Sequence, residues 1–285
     1  MKRVLLFLKK YYVLTVALTV ALCYASVKVL SSEEEIDANG IFLRILLTIV
    51  CGAVLYVVSG SKSFENLDKD IGYTLSRYKG FLIFSFLLGA SALIASIAGG
   101  VKLVDGWPKV LFMIIVEVIF VGLFEELCFR VIINDALLYR FRDNKYIFVW
   151  IAVITTFLFG WVHVASATAT TPIAIAQAAL KTISSGLMGL GLLILYWKTH
   201  NFWAIAIAHA LYDFFPLVGA QLFDHGIKAG NYITEGTQEI EGVVVNMGAT
   251  QAGVYAVQTV LCIIFDLVLI KVIKSTDFDE IRKTW

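Results

Sequence analysis

Charged residues are scarce in this 285-residue chain, and the few that are present nearly cancel. Asp, Glu, Lys and Arg make up 16% of the sequence against 59% for hydrophobic residues, and the formal net charge is +1. This near-neutral balance leaves no basic patch outside the loops that flank apolar runs, which argues against nucleic-acid binding. Such an apolar composition is typical of a polytopic membrane protein and not of a water-soluble domain.

The sequence also lacks a polar stretch large enough to form a separate soluble domain. A membrane-spanning helix needs about 20 apolar residues. Eight runs of suitable length are present: 11–30, 41–60, 80–101, 108–128, 147–165, 172–197, 202–222 and 252–273. The sequence therefore predicts one all-α transmembrane domain over residues 1–285, with about eight spans.

No small-x-small cleavage site follows the first apolar run, so we expect a retained span and not a signal peptide. Lys and Arg precede the first predicted span, separate spans two and three and spans four and five, and follow span eight. The alternate loops are acidic, near-neutral or uncharged. By the positive-inside rule this pattern predicts that both termini are cytoplasmic.

Two signatures of redox or metal chemistry are missing. The four cysteines, Cys23, Cys51, Cys128 and Cys262, all lie in apolar runs without a Cys-x-x-Cys spacing. This predicts free thiols that pack as small apolar groups. No His-Glu-x-x-His segment is present, which excludes the usual zincin geometry.

Against this apolar background, a Glu-Glu-x-x-x-Arg segment ends the fourth apolar run. Glu126 and Arg130 are four residues apart, so one helical face can hold them as an ion pair. Glu125 lies about 100° further round the helix and has no partner on it, which makes it the candidate general base. The alternative is a solvated charge cluster where the helix reaches the cytosol.

Two histidines lie in later apolar runs. His163 follows Phe159 by four residues, and His209 precedes Asp213 by four. A lone histidine in such a run usually serves helix packing. Together with Glu125, however, these side chains supply a base, two imidazoles and a second carboxylate, which can activate water with or without a metal.

The ordered series Glu-Glu-x-x-x-Arg, Phe-x-x-x-His and His-x-x-x-Asp, over about 110–215, resembles the CPBP family of intramembrane proteases. This family includes type II CAAX prenyl proteases and bacterial relatives, some of them linked to bacteriocin immunity. The resemblance implies a motif-bearing core at about 108–222 in a multi-pass protein of the bacterial cell membrane. It also implies an endopeptidase, glutamate-dependent or metal-dependent, whose substrate is a membrane-associated or prenylated peptide.

The resemblance further implies roles for individual residues. Glu125 and His163 would activate the attacking water, while His209 and Asp213 would stabilise the oxyanion or bind a metal. The eukaryotic CAAX proteases carry Asn where this chain has Asp213, and an ionised carboxylate cannot donate to an oxyanion. Three further side chains are predicted to hold the catalytic residues in place: Glu126, Arg130 and Phe159. A zinc ion on His163, His209 and a carboxylate is chemically feasible.

Two further readings of the buried polar groups remain open. A non-enzymatic immunity or scaffold protein would keep them as interhelical contacts while binding a peptide or a partner helix. An ion or proton transporter would use Glu117, Glu125 and Asp266 as a relay. We also expect Lys181 to pair with Glu117 or Asp266, and Arg44 to extend towards the membrane surface.

Glu125 and His163 lie at similar sequence distances before and after the loop near Asp143. If both arms of this hairpin are helical, the two side chains lie at a similar distance from its tip. Hydropathy places them near opposite membrane boundaries, unless the small, hydroxyl-rich segment 164–171 dips back into the membrane. We therefore expect a cavity that opens to the cytosol.

Overall fold

The computed structural model describes residues 10–31, 38–59, 70–165, 167–224, 232–240 and 243–284. Its longer helices are α1 (Tyr12–Ser31), α2 (Ala38–Ser59), α3 (Ile71–Ala98), α4 (Trp107–Glu126), α6 (Ile147–Val162), α7 (Pro172–Thr199), α8 (Phe202–Gln221) and α9 (Met247–Lys274). The short helix α5 (Asn134–Phe141) precedes α6, and the short helix α10 (Phe278–Thr284) follows α9. The predicted all-α membrane class is confirmed.

Each of the eight apolar runs coincides with one of the long helices. Four of these helices, α3, α7, α8 and α9, are long and apolar enough to cross a membrane. The apolar part of α2 and the whole of α6 are shorter. The count of eight spans and the cytoplasmic termini therefore stay predictions.

Helices α7 and α8 form the centre of the molecule. Helix α8 packs on α3 and α4, and α7 packs on α6 and α9. The outer faces of α3, α6 and α9 instead carry large exposed apolar side chains such as Ile83, Val153 and Leu267. Apolar side chains face outwards where the surrounding solvent is lipid, so this surface fits a membrane protein.

Small residues bring the central helices close together. A Cβ atom on Gly186 of α7 would lie 2.6 Å from the Thr156 carbonyl oxygen of α6, and one on Gly122 of α4 would lie 2.7 Å from the Ala206 carbonyl oxygen of α8. Such contacts leave no room for a side chain. Gly186 and Gly122 therefore allow these helices to pack closely.

Pro216 lies inside α8, where its ring nitrogen cannot donate to the Tyr212 carbonyl four residues earlier. The hydroxyl of Ser85 on α3 donates to that carbonyl instead. The backbone group that proline releases is therefore satisfied by a neighbouring helix, as burial in lipid requires. This contact joins α3 to α8 one residue before Asp213.

The chain changes helical pitch directly after the glutamate pair. Residues Leu127–Ile133 form a π-helical segment, and all seven are buried. Such segments are rare and occur often at functional sites. The two glutamates thus end a regular helix, and Arg130 lies on the wider turn.

The structure corrects two predictions about charged side chains, one for Arg44 and one for Lys181. Arg44 does not extend to the surface: its Nε atom lies 2.9 Å from Glu117 Oε1, and both side chains are almost fully buried. The predicted pairing of Lys181 with Glu117 or Asp266 is also wrong, because Lys181 lies over the ring of Tyr232. Helical periodicity relates only residues of the same helix. The sequence therefore could not identify these partners, which lie on different helices.

The predicted free thiols are confirmed for Cys51, Cys128 and Cys262, all of which are buried. The Sγ atoms of Cys51 and Cys128 lie 3.9 Å apart, where α2 crosses the π-helical segment. The side chain of Cys23 lies outside the described part of the chain.

Candidate active site

Glu126, the last residue of α4, contacts His209 in the middle of α8. The Glu126 Oε1 atom lies 2.7 Å from His209 Nδ1, and both side chains are almost fully buried. A carboxylate only accepts, so Nδ1 carries the proton and donates it. The close approach of α4 and α8 at Gly122 makes this contact possible.

Arg130 lies on the far side of Glu126. Its Nη1 atom is 3.2 Å from Glu126 Oε1, which confirms the predicted ion pair. The guanidinium lies 4.0 Å from the centroid of the Phe159 ring, within the range of a cation–π contact. Its Nε atom also donates to the Gly189 carbonyl at 3.4 Å. These contacts fix the buried carboxylate that holds His209.

The other ring nitrogen of His209 faces two more carboxylates. Asp213 Oδ2 lies 3.3 Å from Nε2, and Glu125 Oε2 lies 3.7 Å from it. Because both ring nitrogens face groups that only accept, the arrangement fits a charged imidazolium that donates from each side. Glu125 and Asp213 are 12% and 24% exposed, whereas Glu126 is fully buried. The site is therefore open on the Nε2 side and closed on the Nδ1 side.

His163 caps the end of α6 and contacts Phe159 twice. Its Nδ1 atom lies 2.7 Å from the Phe159 carbonyl oxygen, which only accepts, so Nδ1 is the protonated nitrogen. In the neutral ring Nε2 then keeps a free lone pair. The Phe159 ring packs against His163 at 4.9 Å and His209 at 5.9 Å between centroids, so it separates the two imidazoles.

Residues 232–236, here called the strap, pass beside His163. The Tyr232 ring lies 5.8 Å from the His163 ring, between centroids. The Tyr255 hydroxyl donates to the Tyr232 carbonyl at 2.9 Å. Gln177 bonds both backbone groups of Thr234, donating to its carbonyl at 2.7 Å and accepting from its amide at 2.8 Å. Burial raises the pKa of the Tyr232 phenol, so this ring stays neutral.

Residues 107–215 match the family model described as type II CAAX prenyl endopeptidase Rce1-like. This match covers 109 of the 285 residues, less than half of the chain, and residues 107–215 are here called the Rce1-like domain. No curated protein and no solved structure matches the chain. The Rce1-like domain begins with α4 and ends within α8, so it contains every residue that the sequence motifs selected.

Within the Rce1-like domain, the structure brings Glu125, His209 and Asp213 together. In the described part of the chain, Glu125 makes its ion pair with His209 and not with His163. The Glu126–His209 contact was missed because the two residues lie 83 positions apart. The strap residue Tyr232 was missed as well, since nothing in its local sequence distinguishes it from other loop residues.

The candidate metal-binding side chains of the Rce1-like domain contact one another in the structure. Across the described ranges, no three His, Cys, Asp or Glu side chains are grouped to hold a metal. Both ring nitrogens of His209 already face carboxylate oxygens. The zinc site on His163 and His209 therefore stays a prediction, and the mechanism below uses the side chains alone.

Proposed function

We propose that the Rce1-like domain hydrolyses a peptide bond of a membrane-associated, prenylated peptide with water activated by Glu125. The observation that carries this proposal is the placement of His209 between a buried carboxylate, Glu126, and two partly exposed ones, Glu125 and Asp213. Glu126 fixes the charged imidazole at Nδ1, while the Nε2 side stays open. A positive charge held in this way can stabilise the negative charge that develops in the transition state.

Glu125 is the base in this mechanism. Its Oε2 atom is buried and has no hydrogen-bond partner among the described residues, so its lone pairs are left to accept a proton from a bound water. The free Nε2 lone pair of His163 accepts a second hydrogen bond from the same water and orients it. The oxygen attacks the peptide carbonyl, and Glu125 then passes the proton to the leaving amine.

His209 stabilises the tetrahedral intermediate. In the resting site Nε2 donates to Asp213, which keeps the imidazole charged. When the substrate oxygen becomes negative, the Nε2 proton turns to that oxygen, and Asp213 remains beside the ring. Glu126 holds the opposite nitrogen throughout, so the ring keeps its orientation and charge.

The test uses the purified full chain in lipid vesicles with an internally quenched, farnesylated peptide. We expect cleavage by the native protein and a loss of about 10²- to 10⁴-fold in the Glu125→Gln variant, as is typical when a general base is removed. The melting temperature of the variant should stay unchanged. Equal cleavage by the two proteins would contradict the proposal.

A non-enzymatic immunity or scaffold protein is the second candidate. The fully buried Glu126–Arg130 pair favours it, because Arg130 on the π-helical segment also bonds Gly189 of α7, and Glu126 bonds α8. Such contacts would hold a bundle together without any chemistry. Binding of the peptide without cleavage would support this candidate.

A further inference from the structure

A basic cavity lies at the end of α6 that is remote from the candidate active site. Its volume is about 490 Å³, and it is lined by Arg142 and Asp143 of the loop before α6 and by Arg282 and Lys283 of α10. Three cations and one carboxylate give this lining a net charge of +2. His163 follows the other end of α6, about 24 Å away at 1.5 Å per residue. The cavity is therefore separate from the proposed catalytic groups.

Arg282 is held in the wall of this cavity by three contacts. Its Nη2 atom donates to the Lys145 carbonyl at 3.0 Å, and its Nη1 atom lies 3.4 Å from Asp279 Oδ1. The guanidinium also lies 5.5 Å from the centroid of the Phe148 ring, within the range of a cation–π contact. The Nε atom is buried and has no acceptor in the described part of the chain. The guanidinium is thus fixed while one of its donors stays unused.

The packing of α10 fixes the second wall of the cavity. The Phe278 ring at the start of α10 lies 4.5 Å from the Phe148 ring of α6 and 5.8 Å from the Trp197 ring of α7, between centroids. Ile281 of the same helix is buried. These contacts bring Arg282 beside the loop that precedes α6. The cavity is formed before any ligand arrives, which limits the ordering cost of binding.

An exposed apolar face begins directly beyond the cavity. In the first two turns of α6, the side chains of Val149, Trp150 and Val153 are more than half exposed. Apolar side chains that face outwards on a membrane helix contact lipid chains, and tryptophan is typical of the membrane interface. The charge pattern of the sequence predicts that this end of α6 is cytoplasmic. A ligand in the cavity would therefore have cations around its polar end and lipid hydrocarbon beside it.

We propose that this cavity binds the phosphate group of an anionic phospholipid, whose acyl chains lie along α6. A guanidinium matches the geometry of two phosphate oxygens, and an ammonium adds a point charge. The lining charge of +2 exceeds the single negative charge of a phosphodiester, so Asp143 does not prevent binding. A free phosphate shares this chemistry, but it has no apolar part to cover the exposed face of α6. The inference does not depend on the proposed peptidase function.

The binding test uses native mass spectrometry of the purified full chain in mixed micelles. The micelles contain phosphatidylglycerol and phosphatidylcholine with the same acyl chains in equal amounts. Basic residues at a membrane surface each favour an anionic lipid about fivefold, so a net charge of +2 predicts a preference for phosphatidylglycerol of about 25-fold. An excess of inorganic phosphate should not displace the lipid. Equal binding of the two lipids, or displacement by inorganic phosphate, would overturn the inference.

Substitutions assign the preference to the cavity. Arg142→Gln and Lys283→Gln should each weaken the binding of phosphatidylglycerol about fivefold and leave that of phosphatidylcholine unchanged. Arg282 is kept, because its contacts hold α10 in place. The matched control is Lys79→Gln, which removes an exposed cation of α3 that is predicted to lie on the same side of the membrane. An equal effect of Lys79→Gln would assign the preference to general surface charge and contradict a site.

Melting temperatures show whether the variants remain folded. A ligand that binds only the folded state raises the melting temperature, so phosphatidylglycerol should stabilise the native protein and the Lys79→Gln variant. The double variant Arg142→Gln/Lys283→Gln should melt with the native protein in phosphatidylcholine and gain nothing from phosphatidylglycerol. A full gain in the double variant would show that the lipid binds elsewhere.

Discussion

The Nδ1 atom of His209 lies 2.7 Å from Glu126 Oε1, so the second glutamate of the pair holds the imidazole and the first one does not. The same Oε1 atom lies 3.2 Å from Arg130 Nη1. One buried carboxylate oxygen therefore supports both a structural cation and a ring of the candidate active site. The two adjacent glutamates have separate tasks, and substitutions should distinguish them.

Glu126→Gln should destabilise the protein, whereas Glu125→Gln should not. Removal of the Glu126 charge leaves Arg130 buried without its carboxylate, and breaking a buried pair in this way costs roughly 3–5 kcal/mol. Glu125 is partly exposed and has a weaker contact at 3.7 Å. Thermal unfolding of both variants in detergent measures the difference. Equal melting temperatures would show that the Glu126 contacts add little to stability.

Asp213→Asn should keep most of the activity, and Asp213→Ala should lose more. The Asn side-chain oxygen can still accept from His209 Nε2, although it lacks the charge that favours the imidazolium. We expect a kcat within about tenfold of the native value for Asn, because one hydrogen bond to a charged group becomes a neutral one. Metal analysis belongs to the same experiment: stoichiometric zinc that disappears in Asp213→Asn would show that Asp213 is a metal ligand.

Ser85→Ala should destabilise the protein by about 1–3 kcal/mol, the cost of leaving the buried Tyr212 carbonyl without a donor. The loss should shrink when Pro216 is replaced by alanine, because residue 216 then regains an amide that can donate to the same carbonyl. A double-mutant cycle over Ser85→Ala and Pro216→Ala measures this coupling from unfolding free energies. Additive effects would mean that the two residues do not share the carbonyl.

Cysteine labelling should reach position 237 from outside the cell and miss position 144. Both Thr237 and Asn144 are exposed, and the charge pattern predicts that they lie on opposite sides of the membrane. A membrane-impermeant maleimide on intact cells tests this, and permeabilised cells should be labelled at both positions. Labelling of position 144 from outside would reverse the orientation. The same result shows which side the strap faces, since Tyr232 lies five residues before Thr237.

The sequence predicted the contacts that lie within one helix and missed most of those between helices. The spacing of Glu126 and Arg130 identified their ion pair, and the spacing of His209 and Asp213 placed both on one face. Such predictions succeed because helical periodicity alone fixes which side chains are neighbours. The hydropathy pattern likewise located each of the long helices.

Contacts between distant segments depend on helix packing, which the sequence pattern does not encode. The Glu126–His209 bond requires α4 and α8 to approach at Gly122, and the Arg44–Glu117 pair requires α2 to lie against α4. The π-helical turn after Glu126 also breaks the regular spacing on which sequence reasoning relies. The contacts of the candidate site that join residues far apart in the sequence could therefore be identified only from the structure.

The hydrogen bond from Ser85 to the Tyr212 carbonyl has a consequence for biosynthesis. Helix α3 precedes α8 in the chain, so the ribosome releases the donor well before the carbonyl that Pro216 leaves unpaired. An unsatisfied backbone carbonyl is costly in lipid, and the Tyr212 carbonyl gains the Ser85 donor only when α8 meets α3. Insertion of α8 and its docking on α3 are thus coupled, and docking brings His209 and Asp213 into position in the same step.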